Sequence, residues 1–357
     1  MQVAPHPSAA MQRLGVGSEL PSILKELGAN PAALFSEIGV DLGAVSPDLR
    51  LEFSRLLHLL YRAAEVTGCQ HIGLLCGLRF EMQHHGMIGA LMQTAPTLWQ
   101  AMEDFVTLQP GHSSGAIVYL HRNGPDQFVG YGIYTQTHPG AFVLYDVVVG
   151  VGVRLLRHLL QNGATPLEVQ LSHSAPSNAP LYSRLLRTPV RFDQLRTCLV
   201  LDAATMAKRL PGANPLKRRE MLNLIASMSS RSVFVLSDRV RNEIRRALLH
   251  GAPRMPDIAH RLGINERTLR RRLLDEGTDF TTLSDEVRLA VANELLALTK
   301  LPIGDIASAI GFASPSVFAE TFRRWSGQTP TSVRAAAVEP HTPMPDAGIR
   351  MPRPDPR

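Results

Sequence analysis

Cysteine is scarce in this chain: Cys69, Cys76 and Cys198 are the three in 357 residues. An odd count without a Cys-x-x-Cys pair argues against a disulfide framework and against a structural zinc site. Buried free thiols in a reducing compartment are the simpler reading. Long apolar runs are missing too. The most apolar stretch, Ala141 to Val153, is broken by Asp146 and two glycines and is too short to span a bilayer. The N-terminus lacks the basic start and continuous apolar core of a signal peptide, so the chain reads as cytoplasmic. There is no P-loop, no dinucleotide fingerprint and no nucleophile elbow. Histidines such as His84 and His85 have no ligand spacing with cysteines or carboxylates. Neither a metal nor a cofactor is therefore expected.

What is present is an ordinary globular composition, 45% hydrophobic and 19% charged, with a net charge of +6. A basic balance permits a polyanionic partner without proving one. Most of the excess is local: Arg239 to Arg334 holds 15 Lys and Arg against 11 Asp and Glu, while the rest holds 22 against 20.

The hydrophobic period changes along the chain. Helical spacing dominates to Leu108, for example at Phe53, Leu56, Leu57, Leu60 and Ala64. Ser114 to Arg122 and Gln127 to Thr135 then alternate like strands around an Asn123-Gly124 turn. An apolar helix is expected from Ala141 to Leu160, followed by short strands at Leu167–Ser172, Val190–Phe192 and Cys198–Leu201. After the turn-rich Pro211 to Pro215, no convincing strand pattern remains. The fold class that follows is an α+β N-terminal domain and then an all-α C-terminal domain, in which the repeat described next marks two helix-turn-helix motifs. The expected divisions are a flexible leader at 1–18, the α+β domain at 19–210, a linker at 211–238, the all-α helix-turn-helix domain at 239–336 and a disordered proline-rich tail at 337–357.

The C-terminal domain contains an internal repeat. Ile258-Ala259-His260-Arg261-Leu262-Gly263-Ile264 leads into a helix ending near Leu273. Ile306-Ala307-Ser308-Ala309-Ile310-Gly311-Phe312 leads into one ending near Phe322. A small residue four positions before a glycine suits a helix-turn-helix: it lets the second helix cross closely, and the glycine takes the tight turn. Asn265 and Ser314 are natural N-caps, the latter followed by Pro315 at the first helical position. Arg267, Arg270 and Arg271 share the side opposite Leu269 and Leu273, with Arg272 beside them. Arginine suits guanine edges and phosphates. The matching second face, Ser316, Ala319 and Glu320, is less basic: it suits base reading through a hydroxyl, a methyl and a carboxylate able to accept from cytosine, or a weakly specific partner of the first face. A helix at about Leu283 to Leu298 is expected to hold the two units apart.

Val240 to Arg334 closely resembles the DNA-binding domain of AraC/XylS-type transcription regulators. The resemblance runs through Ile258-Ala259, Leu262-Gly263, Arg267-Thr268-Leu269, Arg271, Leu273 and Glu276-Gly277. It continues through Val287-Arg288, Leu295-Leu296, Pro302-Ile303, Ile306-Ala307, Gly311-Phe312, Ser314, Phe318, Phe322, Arg324-Trp325, Gly327 and Pro330. It implies that Arg267, Arg270 and Arg271 face one DNA groove and that Pro315, Ser316, Ala319 and Glu320 face the next. Where the family commonly has a basic residue, this chain has Glu320.

Residues 20–210 resemble the arabinose-binding-type N-terminal domain of a subgroup, through Ile72-Gly73-Leu74, Gly86-Met87-Ile88-Gly89, Thr97-Leu98-Trp99-Gln100-Ala101 and Pro189-Val190-Arg191-Phe192. This implies a sensing and dimerising module, hence double-stranded DNA, a small-molecule effector, a second copy of the chain and RNA polymerase as partners. The domain's name does not identify the effector as arabinose. Tyr119, Tyr131 and Tyr134 on the hairpin are the candidate effector-pocket residues, with core packing as their simpler use. Gly130 and Gly132 leave one strand face bare for a ligand or a packed neighbour. Two other readings stay open: a DNA-binding protein without an effector, and an alkyl-transfer repair enzyme fused to the same DNA-binding unit. The latter needs a Pro-Cys-His setting that none of the three cysteines has.

Overall fold

Capping residues and prolines divide the chain into short elements. The computed structural model describes residues 10–337, apart from 114, 124, 134–137, 162, 195, 232–235, 249–251 and 299–300. In order, the N-terminal part holds β1 (Met11–Arg13), α1 (Leu20–Glu26), α2 (Pro31–Glu37), β2 (Arg50–Glu52), α3 (Phe53–Thr67), α4 (Ile72–Leu78), α5 (Gly86–Gln93) and α6 (Leu98–Leu108). It continues with β3 (Ala116–Asn123), β4 (Asp126–Ile133), α7 (Gly140–Leu160), β5 (Glu168–Gln170), α8 (Ala179–Leu186), β6 (Val190–Arg191), β7 (Thr197–Asp202) and α9 (Ala203–Ala207). The C-terminal part is helical: α10 (Pro215–Arg231), α11 (Leu236–Leu248), α12 (Met255–Arg261), α13 (Glu266–Asp275), α14 (Phe280–Leu298), α15 (Ile303–Ala309), α16 (Pro315–Ser326) and α17 (Pro330–Ala337). Among the described residues no helix is long and apolar enough to cross a membrane.

The main sheet has the order β3-β4-β7-β5-β6, antiparallel except for the β5–β6 pair. The predicted hairpin is its β3–β4 edge, with register from Ala116↔Ile133 to Asn123↔Asp126; Gly124 of the expected turn lies outside the described residues. The apolar helix α7 is buried inside its own domain, between α3 and α4 on one side and the sheet on the other. Its approach to α4 is set by glycine. A Cβ on Gly77 would run into the Val147 carbonyl, and one on Gly73 into that of Val143.

Asp146, which breaks the apolar run of α7, has a structural explanation. It is buried with Tyr182, whose hydroxyl donates to Oδ2 at 2.6 Å, and with His173, whose Nε2 lies 3.1 Å from Oδ1. A buried carboxylate needs such partners, because taking an unpaired charge out of water costs several kcal/mol.

Two expectations about the connecting segments need correction. Residues 10–18 are not a loose leader. β1 pairs antiparallel with β2, and Leu14 and Val16 enter the core beside a 3₁₀ turn at Gly15–Glu19. A three-residue strand carries too little periodicity to be read from sequence. The expected linker is mostly helix: α10 fills 215–231, and α11 begins at Leu236, inside the expected linker. Arg218 of α10 ties that helix to the N-terminal domain through a two-pronged ion pair with buried Asp104 of α6, at 2.6 and 2.8 Å. The tail, from 338 onward, lies outside the described residues, as do residues 1–9 of the leader.

Candidate nucleic-acid interface and effector cavity

The two repeated segments fold alike. α12 and α13 form one helix-turn-helix, α15 and α16 the other. At the turns, Gly263 and Gly311 take φ of +69° and +81°, a left-handed conformation open to glycine at little cost. Each turn closes with the same bond: Ile264 N donates to Ala259 O at 3.1 Å, and Phe312 N to Ala307 O at 2.9 Å. Ala259 and Ala307 are buried at the crossings. Both expected caps form. Asn265 Oδ1 accepts from Thr268 N at 2.8 Å, and Ser314 Oγ accepts from Val317 N at 3.3 Å.

α14 is the strut. Its N-terminal half gives Leu283 and Val287 to one core with Val240, Ile244, Ile258, Leu269 and Leu273. Its C-terminal half gives Ala292, Leu295 and Leu296 to a second core with Ile306, Ile310, Phe318 and Phe322. The 19 residues of α14 span roughly 28 Å at ~1.5 Å per residue. Three further bonds fix the arrangement. Trp325 Nε1 donates to Asp285 Oδ2 at 3.1 Å. Glu276 accepts from Leu236 N and Ser237 N at 2.7 and 2.8 Å, capping α11. Burial works to raise the Glu276 pKa, but these N–H groups outweigh it and hold the carboxylate below its ordinary value.

The faces away from these cores carry the expected side chains. Arg267, Arg270, Arg271 and Arg272 are all exposed, and none holds an ion pair among the described residues. At 100° per residue, Arg267 and Arg271 stand opposite the Leu269–Leu273 seam, while Arg270 and Arg272 flank it on opposite sides. On α16, Pro315, Ser316 and Glu320 are exposed and Ala319 is half-buried. Sequence reading missed two neighbours. Arg323, one turn beyond Ala319 and Glu320, is exposed and makes that face more basic. Val317 is 53% exposed on the same helix. The spacing Ser316, Glu320, Arg323 was the available signal for the first.

The hairpin tyrosines do not act together. Tyr119 pairs across the sheet with Gly130 and Tyr131 with Val118, so the two rings lie on opposite faces. Tyr119 fills the bare side of Gly130 and lies beside Leu295 and Leu301 of the C-terminal domain, in one buried cluster with them. Its removal from the pocket is a correction imposed by strand register. Tyr131 lines a cavity on the other face, and Tyr134 lies outside the described residues. This cavity, of about 120 Å³, lies between β3, β4 and β7, helices α6 and α7, and the Gln12–Gly17 segment. Most of its wall is apolar, with Leu60, Phe80, Phe105, Val148, Leu155 and Leu199 among the lining residues. Gln12 and His85, which sequence reading did not connect, also line it.

Burial pushes the thiols of Cys76 and Cys198 up to about 12. Neither is a nucleophile near neutral pH, because the thiolate is the reactive form.

Family models match both halves of the chain. The model for the arabinose-binding N-terminal domain of AraC transcription regulators matches residues 28–210, just over half of the chain. A helix-turn-helix domain model matches residues 258–336. The ornithine utilization regulator of Pseudomonas aeruginosa is 24% identical over 339 residues, which cover 92% of this chain and 98% of that protein. The transcriptional regulator VirS of Mycobacterium tuberculosis is 26% identical over 317 residues, 88% of this chain and 93% of its own. The crystal structure of the regulator CdpR from P. aeruginosa aligns over 89% of this chain and 96% of that one, with 22% identity and a TM-score of 0.45. With an arabinose-binding-type domain followed by two helix-turn-helix units on one strut, the chain belongs to the AraC family of DNA-binding transcription regulators.

Proposed function

We propose that this regulator reads two successive major-groove segments with α13 and α16, under the control of a small molecule held in the N-terminal cavity. The observation that carries the reading is the pair of capped helices on one strut, each with a solvent-facing surface free of core contacts. Arg267, Arg270 and Arg271 supply base and phosphate contacts in one groove, and Arg272 a phosphate contact on the flank. Pro315, Ser316, Ala319 and Glu320 face the next groove, joined by Val317 and Arg323. Glu320 has a base role here, because a carboxylate beside phosphates is unfavourable unless it accepts from a base amino group.

The N-terminal domain senses the effector and pairs two copies of the chain, which raises affinity for paired sites without any new contact. Tyr131 belongs to the effector pocket, Tyr119 to the contact between the domains. The protein acts in the cytoplasm, engages RNA polymerase at its promoters and carries out no catalytic step. A thermal-shift screen of the full chain against small metabolites, followed by DNA titration with each hit, tests the control. The expected result is at least one metabolite that both stabilises the protein and changes its DNA affinity. Stabilisation by none, with one DNA affinity throughout, would leave a regulator without an effector.

A further inference from the structure

The lining of the N-terminal cavity restricts what it can hold. No Asp, Glu, Lys or Arg side chain is among its lining residues. Its two histidines add no charge near neutral pH. Burial pulls His112 down to about 4, with Arg13 and Arg50 adding to the effect, and burial holds His85 well below its ordinary value. A charged ligand entering such a wall loses its hydration and gains no counter-ion. A sugar faces a related problem. Gln109 Nε2 donates to Ala116 O, Ser113 Oγ accepts from Gly115 N, and Thr197 Oγ1 accepts from Ser172 N. On a wall that is mostly apolar, a ligand rich in hydroxyls would leave several of them unmatched.

Two polar atoms of the lining stand out. Gln12 Oε1 and His85 Nε2 are buried and have no hydrogen-bond partner among the described residues. Each side chain lines the cavity and is only 9% exposed. The His85 ring is held between Phe80 and Phe105, at centroid distances of 4.7 and 4.9 Å. A buried polar group without a partner is unfavourable, and a ligand hydroxyl placed within reach of both atoms would satisfy them. It donates to Gln12 Oε1 and accepts from His85 Nε2–H, the neutral tautomer that leaves this proton in place. The volume of about 120 Å³ is close to that of the ~150 Å³ apolar cavity known to admit benzene.

We infer that the cavity takes an uncharged, mainly apolar small molecule, one ring or a short chain in size, anchored at a single hydroxyl-type end by Gln12 and His85. The inference rests on the reading of the N-terminal domain as an effector sensor. It separates this chain's effector from free sugars and from charged amino acids.

Isothermal titration and thermal unfolding of the full chain at pH 7.5 test it, with benzyl alcohol, 1-hexanol, benzoate, L-arabinose and L-ornithine as probes. The two alcohols should bind and raise the melting temperature, and the other three should not. Gln12→Leu and His85→Phe keep the shape of the wall. Each should weaken alcohol binding roughly fivefold, the size of one neutral hydrogen bond, while leaving the unliganded melting temperature equal or higher. A merely structural role for these residues would lower that temperature instead. Binding of benzoate, L-arabinose or L-ornithine in place of the alcohols overturns the ligand class and keeps the sensor. Binding of none overturns the ligand class, and with no response in the metabolite screen the sensor reading falls too.

Discussion

Replacing Asp146 by asparagine removes the charge at the centre of the N-terminal domain while keeping its shape. In the native chain Asp146 is 3% exposed and holds both His173 and Tyr182. Removing one partner of a buried charged pair typically costs ~3–5 kcal/mol, on the order of 10 °C in melting temperature for a domain of this size. The loss should depend on pH. Burial opposes the charged form of His173, but the hydrogen bond and charge of Asp146, with Asp193 adding, leave its pKa above the ordinary 6.5. A raised folded-state pKa gives stability that is fully present below pH 6.5 and fades as pH rises through the folded value. In Asp146→Asn the burial effect on His173 is no longer outweighed, so that variant should lose stability on acidification from pH 8 to pH 6. Urea unfolding followed by near-ultraviolet circular dichroism at pH 6, 7.5 and 9 should therefore show the widest gap between the two proteins at pH 6. A gap below 1 kcal/mol, or one of equal size at all three values, would refute the charged-pair account.

Other perturbations give further outcomes. Gly77→Ala places a methyl group against the Val147 carbonyl, and urea unfolding should show a loss of ~1–3 kcal/mol from overpacking. Glu276→Ala uncaps α11 and should cost ~1–2 kcal/mol. Because the Glu276 pKa is depressed in the fold, its contribution is present above about pH 4.5 and lost as pH falls through the folded value; the difference between native and variant chains should therefore vanish in acid. Arg218→Ala takes the two-pronged partner from buried Asp104, so the N-terminal domain should lose ~3–5 kcal/mol. The base preference of the DNA-binding domain, read by competition with mutated sites, should stay the same.

The DNA-binding half was legible because its signals are local. The alanine, the glycine and the N-cap of each helix-turn-helix lie within eight residues, and a repeat doubles the signal. The cavity was less legible because its parts are distant: Gln12, His85 and Tyr131 come from three separate elements. The tyrosine error has a simple origin. Tyr119 and Tyr131 were grouped by residue type, yet an antiparallel register that pairs Asn123 with Asp126 puts Tyr119 opposite Gly130. A shift of one residue changes the face. Asp146 was visible as a break in an apolar helix, but its partners lie 27 and 36 residues further on, beyond any periodic pattern. β1 and β2 are three residues each and join segments far apart in the chain, so only tertiary packing reveals them.

Selection of binding sites from random DNA, run with the full chain and with Arg271→Ala and Glu320→Gln, tests the two-groove account most directly. The native chain should select two blocks of preferred bases about one helical turn, ~10 base pairs, apart. Arg271→Ala should relax preference in one block only, with a loss of ~1–3 kcal/mol on the selected site, and Glu320→Gln in the other only. A single block, or equal weakening of both blocks by either substitution, would contradict reading by two helices.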